Sequence, residues 1–138
     1  MAITKQKGDI AEIYIAYLLK KEGFNVLLPW GEDHRYALVS EKNGIFKRIQ
    51  VKYVTPRKGM LEVALRSLNN YQILHYSVKD IDIIAAYEPN NQKVFFVPLK
   101  RIKNKSSLKL RLLPSKNKQV KNITMASKFE GNFTELKK

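Results

Sequence analysis

Three polar residues stand where a folded chain could put them to chemical use. Glu12 lies between Ala11 and Ile13, inside the most apolar stretch of the N-terminal segment, and a carboxylate in such surroundings is costly unless it is paired or bound to a cation. A glutamate at the edge of an apolar stripe, reaching solvent, is the alternative. Gln50 and Lys52 flank Val51 near the end of an alternating run, and the two-residue period of a strand turns both side chains to one face. An exposed strand face accounts for that pair equally well. A helix acid, then a hairpin, then a polar-apolar-lysine triplet at the end of its second strand is more specific than any one of these features. Other chemistries find no support, because His34 and His75 form no His-x-x-x-His pair and the six glycines form no phosphate-binding loop.

The elements that must hold these residues follow from the apolar pattern. From Lys7 to Glu22 the residues Ile10, Ile13, Tyr14, Tyr17 and Leu18 recur at helical spacing, widened by Ala11, Ile15, Ala16 and Leu19, and Gly23 supplies a stop. Phe24 to Leu28 reads as a short strand interrupted by Pro29 and Gly31. Arg35 to Ser40 and Ile45 to Val54 read as a hairpin turned at Asn43-Gly44. Alternation in its second strand puts Phe46, Arg48, Gln50 and Lys52 on a mostly polar face. Ile45, Lys47, Ile49, Val51 and Tyr53 fall on the core face. Met60 to Arg66 is expected as a strand, Ser67 to Ser77 as a loop or short helix, and Ile81 to Tyr87 with Lys93 to Val97 as a second hairpin. A weak helix is expected from Ile123 to Phe129, ending at Gly131 with frayed residues beyond it, and Trp30 is expected to pack beside Pro29. With no repeat and no linker, residues 1–138 read as one α/β domain.

Composition narrows the partner. Among 138 residues, 26 lysines and arginines face 12 aspartates and glutamates, a formal charge of +14. A small domain repels itself at such an excess unless a polyanion neutralises it, which points to nucleic acid. A solvated basic surface without a partner is the plain alternative. Arg35, Lys47, Arg48, Arg57, Lys58, Arg66 and Arg111 are the candidate DNA contacts, since arginine can read guanine and lysine mostly meets phosphate. No cysteine is present, which excludes disulfides and thiolate metal sites. Met1 to Lys7 lacks the apolar run of a signal peptide, and no stretch approaches the ~18 apolar residues of a membrane span. A soluble cytoplasmic protein, on the nucleoid when bound to DNA, is expected.

In order and spacing the chain resembles the PD-(D/E)XK nucleases, and among them the small homing endonucleases of group I introns and their bacterial relatives. The residues that carry the resemblance are Lys7-Gly8-Asp9-Ile10-Ala11-Glu12, Arg35-Tyr36-Ala37-Leu38-Val39 and Gln50-Val51-Lys52, with later likeness at Leu108 to Leu112 and at Lys116 to Gln119 leading into Ile123 and Ala126. The resemblance implies a restriction-endonuclease-like α/β fold with a mixed central β-sheet flanked by helices, and a Mg²⁺-dependent cut of double-stranded DNA. It assigns Glu12 to positioning metal or water and Lys52 to supporting the attacking hydroxide and the growing negative charge. Gln50 stands where Asp or Glu is usual and could ligate Mg²⁺ only as a neutral dipole. Ala37 stands where the family has the central metal-binding aspartate, by a deliberate change or a natural loss. Losing one carboxylate near a divalent ion is worth on the order of several kcal/mol in a partly buried site, so a chain that binds DNA but cuts it poorly is expected. A double-strand break needs two centres and this chain has one, which implies a two-fold homo-oligomer, a dimer or a dimer of dimers. The main alternative is a non-catalytic basic DNA-binding protein on a decayed nuclease fold. An RNA-binding protein and a resolvase-like enzyme for branched DNA are further readings.

Overall fold

The N-terminal helix, α1 (Thr4–Lys21), is closed at both ends by its own sequence. The Ile3 N–H donates to Gln6 Oε1 at 3.1 Å. At the C-terminus the Gly23 N–H bonds Lys20 C=O and the Phe24 N–H bonds Leu19 C=O, a Schellman pair that needs the left-handed φ of +88° at Gly23. In this computed structural model residues 3–69, 72–102, 106–113 and 124–138 are described. The face of α1 that enters the core carries Ala11, Ile15 and Leu19. Ile10, Ile13 and Tyr17, counted in the expected stripe, are exposed instead. Apolar residues surround most of this helix, and at 100° per residue these three fall on the side away from the sheet.

Strands β1 (Asn25–Leu27), β2 (Leu38–Lys42), β3 (Ile45–Tyr53), β4 (Met60–Ala64), β5 (Arg66–Asn69), β6 (Gln72–His75), β7 (Ile83–Glu88), β8 (Lys93–Pro98), β9 (Ser107–Arg111) and β10 (Thr124–Met125) follow. The central sheet has the order β1-β2-β3-β7-β8. Its β3–β7 pair is parallel and the others are antiparallel, so the sheet is mixed as expected. Every residue of β7 is buried, which is how a strand covered on both faces reads in sequence. One face packs on α1 through Ile49, Ile83, Ala85 and Phe96. The other, through Ile84, Ala86, Phe95 and Val97, packs on Leu61, Val63, Leu108 and Leu110 of a smaller sheet ordered β10-β9-β4. The Asn43-Gly44 turn has φ of +54° and +81°, both left-handed as a two-residue hairpin turn requires.

Several expectations are corrected. Arg66–Asn69 and Gln72–His75 pair as the antiparallel strands β5 and β6 instead of the loop or short helix expected from Ser67 to Ser77; no alternation marks them in the sequence, so pairing and not periodicity makes the strands. The strand expected from Met60 to Arg66 breaks at Leu65. The helix expected from Ile123 to Phe129 is a two-residue strand, Thr124–Met125, followed by a 3-10 turn at Ala126–Lys128, with Ile123 outside the described residues, as is Lys116 to Gln119. The C-terminus is not frayed, since a 3-10 turn at Thr134–Lys137 buries Leu136 completely. Phe133 packs there on Phe24 and Phe96, and the Glu135 carboxylate takes both Arg101 and Lys138. Trp30 does not pack beside Pro29, for it is 97% exposed.

Candidate active site

The β2–β3 hairpin brings positions 37 and 50 together. Leu38 pairs with Ile49, and the Ala37 N–H donates to Ile49 C=O at 2.8 Å. Ala37 therefore sits beside Gln50, one strand spacing of roughly 5 Å away. Gln50 is half-buried and fixed: its Nε2 donates to Arg35 C=O at 3.0 Å and its Oε1 accepts the Val51 N–H at 2.9 Å. Two residues on, Lys52 Nζ donates to Arg66 C=O at 3.2 Å and lies 4.9 Å from the Tyr76 ring centre, a cation–π distance. In register, Gln50 and Lys52 adjoin Ile84 and Ala86, which face the smaller sheet, whereas Ile49, Val51 and Tyr53 face α1. The expected division of the β3 faces holds.

Glu12 approaches from the helix side. Lys7 Nζ lies 5.7 Å from the Tyr53 ring, and at the other end Lys42 Nζ donates to Glu22 C=O at 2.9 Å, so α1 runs antiparallel to β3. Ten residues of helix from Glu22 back to Glu12 span ~15 Å. Four to five residues of strand cover that distance from the hairpin turn, which puts Glu12 level with Ile49 and Gln50. Tyr14 Oη donates to Gln92 C=O at 3.2 Å, so that flank of α1 faces the β7–β8 turn and the flank carrying Glu12 faces β2. Glu12 is half-buried, with its carboxyl pushed above the usual range first by burial and then by Asp9. It makes no hydrogen bond or ion pair among the described residues. Glu12 thus belongs to the α1 side of the sheet and Gln50 to the opposite side, at about the same level along β3 by ideal helix and strand rise.

What stands at 37 limits the chemistry. A methyl group donates nothing, the Gln50 amide oxygen already accepts a backbone N–H, and Asp33 is exposed four residues upstream. Among the described residues no group of three His, Cys, Asp or Glu side chains could hold a metal. Glu12 and Gln50 alone do not fit Mg²⁺, which takes near-octahedral oxygen ligands and favours carboxylates.

The basic candidates divide. Arg57, Lys58 and Arg66 line one open groove of about 690 Å³ along the outer face of β4, together with Met60 and Glu62. The Gln50–Lys52 face meets this segment at the Arg66 backbone carbonyl, which Lys52 reaches, while the groove itself opens on the opposite face of β4. Arg111 pairs with Met60 at the far end of β4 and turns its Nε to Leu113 C=O at 3.2 Å. Arg35 is half-buried where Gln50 holds its carbonyl. Arg48, expected as a DNA contact, is occupied within the fold: its guanidinium bonds both Asp82 oxygens at 3.0 and 3.1 Å and the Lys79 and Val78 carbonyls. Burial works to raise the Asp82 carboxyl, but the hydrogen bonds and charge of Arg48 outweigh it and hold it below the usual range. Lys47 lies on the α1 side of β3 by alternation, apart from the groove. Tyr76 was not singled out from sequence, since nothing in the aperiodic stretch around it signals a partner for Lys52.

A family model described as PD-(D/E)XK endonuclease matches residues 2–132. The chain belongs to the PD-(D/E)XK endonuclease family. Two solved structures resemble this PD-(D/E)XK chain. The bacterial homing endonuclease I-Ssp6803I has a TM-score of 0.73 at 26% identity, over 94% of this chain and 89% of that one. Hjc of Archaeoglobus fulgidus, a Holliday junction resolvase from an archaeal hyperthermophile, has a TM-score of 0.50 at 16% identity, over 76% and 84%, a likeness of fold alone. No curated protein matches. The restriction-endonuclease-like α/β class that the resemblance implied is the observed one, except that among the described residues the sheet is flanked by one α-helix on one face and by the smaller sheet on the other, where helices were expected.

Proposed function

We propose that this PD-(D/E)XK chain is a sequence-specific double-stranded DNA endonuclease of the homing type, hydrolysing phosphodiester bonds with Mg²⁺ when its ligand set is complete, and that Ala37 impairs cleavage in the chain as it stands. The observation that carries the reading is the adjacency of position 37 to Gln50, with Lys52 on the same strand face and a half-buried, unpaired Glu12 level with them. The likeness to a homing endonuclease over 94% of the chain supports the type. Lys52 is assigned to stabilising charge that develops on the phosphate, as a fixed donor aimed at the reacting group. Glu12 is assigned to metal or water. The groove of Arg57, Lys58 and Arg66 is assigned to the duplex, with Arg111 opposite Met60 at one end of it and Arg35 as a separate contact beside Gln50. Two chains related by a two-fold axis would supply the two centres that a double-strand break needs.

A second reading, a non-catalytic DNA-binding protein on a decayed nuclease fold, is favoured by Ala37 itself. Ala37→Asp separates the two. Nicking of supercoiled plasmid in Mg²⁺ by the variant supports the endonuclease, and intact plasmid with binding preserved supports the binding protein.

A further inference from the structure

The only tryptophan of the chain is held out into water at the same end of the sheet as position 37. Leu27 pairs with Val39 at the end of β1, with Trp30 three residues beyond Leu27 and Ala37 two residues before Val39, so the chain leaves the sheet toward Trp30 at the end where Ala37 enters. Its backbone is fixed. His34 Nε2 lies 2.6 Å from Trp30 C=O, the His34 ring lies 6.0 Å from that of Tyr36, and the turn between them uses left-handed φ values of +93° at Gly31 and +63° at Asp33. A non-glycine residue in that region is uncommon, which marks a turn shaped by specific contacts. The indole itself is 97% exposed and Leu28 beside it 75%. Among the described residues it makes no ring, cation or hydrogen-bond contact.

We infer that Trp30 stacks on a base of the bound duplex next to the position that the Ala37–Gln50–Lys52 site addresses, a contact that rests on the DNA-endonuclease reading above. An apolar side chain set between base steps or against an unstacked base bends and opens the duplex. The groove along β4 supplies phosphate-facing charge but no aromatic surface. The +14 charge opposes a second copy as the occupant and favours a polyanion.

Because Trp30 is the one tryptophan, its emission reports the contact directly. The probe is a pool of random 30-bp duplexes at low salt, each carrying one unpaired, bulged base whose π-face is open to stacking. Binding is followed separately by the anisotropy of a labelled duplex. Indole emission should be quenched and shielded from acrylamide as the anisotropy rises. Trp30→Ala should weaken binding roughly 5- to 150-fold, the range that base–aromatic stacking gives, and Trp30→Phe should recover part of it. At a position so exposed, both variants should keep the parent circular dichroism spectrum. Emission and acrylamide access unchanged at saturating DNA would overturn the inference and leave the nuclease reading intact. So would shielding that depends on protein concentration without DNA. No rise in anisotropy at all would instead remove the DNA reading, and this contact with it.

Discussion

At Glu12, burial and the neighbouring Asp9 favour the protonated carboxyl in the folded chain. Below the usual glutamate range both folded and unfolded chains hold the proton, and the residue costs nothing. As pH rises through the folded value the unfolded chain releases its proton first, so stability is lost and stays lost at neutral pH. Glu12→Gln should therefore raise the melting temperature at pH 7 and leave it unchanged near pH 3. The gain is a few tenths to about 1 kcal/mol, because solvent screens a half-exposed group. A pH-resolved melting series decides it, and a less stable variant at pH 7 would make Glu12 a structural residue. A residue that weakens the fold where it stands is one expected at a site of chemistry. Lys52 differs, being held by Arg66 C=O and the Tyr76 ring. Lys52→Ala should leave duplex affinity almost unchanged, since one phosphate-facing charge among many is lost.

At the scale of elements, the Arg48–Asp82 contact ties β3 to the segment leading into β7. Arg48→Ala should cost about 1 to 2 kcal/mol after screening, read from urea denaturation. Asp82 is held below its usual range, so its contribution is present above the ordinary aspartate pKa and is lost as pH falls through the lower, folded value. The acid-unfolding midpoint should then move upward in Arg48→Ala. The groove along β4 makes a different claim. Each phosphate contact lowers log affinity by about 0.9 per log unit of salt, so Arg57→Gln with Arg66→Gln should flatten the salt slope by about two. Lys47→Gln, on the other face of β3, should leave the slope unchanged. Equal slopes for all three substitutions would take the groove out of the DNA interface.

How far such elements can be read in the sequence varies with their cause. The β2–β3 hairpin was legible because Asn43-Gly44 fixes its turn locally, and the Gln50–Lys52 face because a two-residue period does not depend on the rest of the fold. The buried face of α1 was not legible, since Ile10, Ile13 and Tyr17 are as apolar as the residues that pack. The β5–β6 hairpin and the C-terminal turn that buries Leu136 depend on contacts with distant segments, which no local pattern records. The same holds for the site. The spacing of Gln50 and Lys52 put both on one strand face, whereas the Tyr76 contact, the convergence of Arg57, Lys58 and Arg66, and the capture of Arg48 by Asp82 arise only when separate strands meet.

On the scale of the whole molecule, a helix layer, a mixed sheet and a smaller sheet stack in that order, and the basic groove lies along the outer face of the smaller sheet. No described helix is long and apolar enough to cross a membrane, and the strong positive charge favours a polyanion. A two-fold assembly should form on a duplex carrying a full site, with two chains per duplex by analytical ultracentrifugation. The most direct measurement is plasmid nicking by Ala37→Asp in Mg²⁺, alone and combined with Lys52→Ala. Every ~1.4 kcal/mol of transition-state stabilisation is a factor of ten in rate, so a restored carboxylate should raise nicking by orders of magnitude. The double variant should bind the plasmid and leave it intact. Plasmid left intact by Ala37→Asp across Mg²⁺ and Mn²⁺, with specific duplex binding preserved, would contradict the assignment of this site to catalysis.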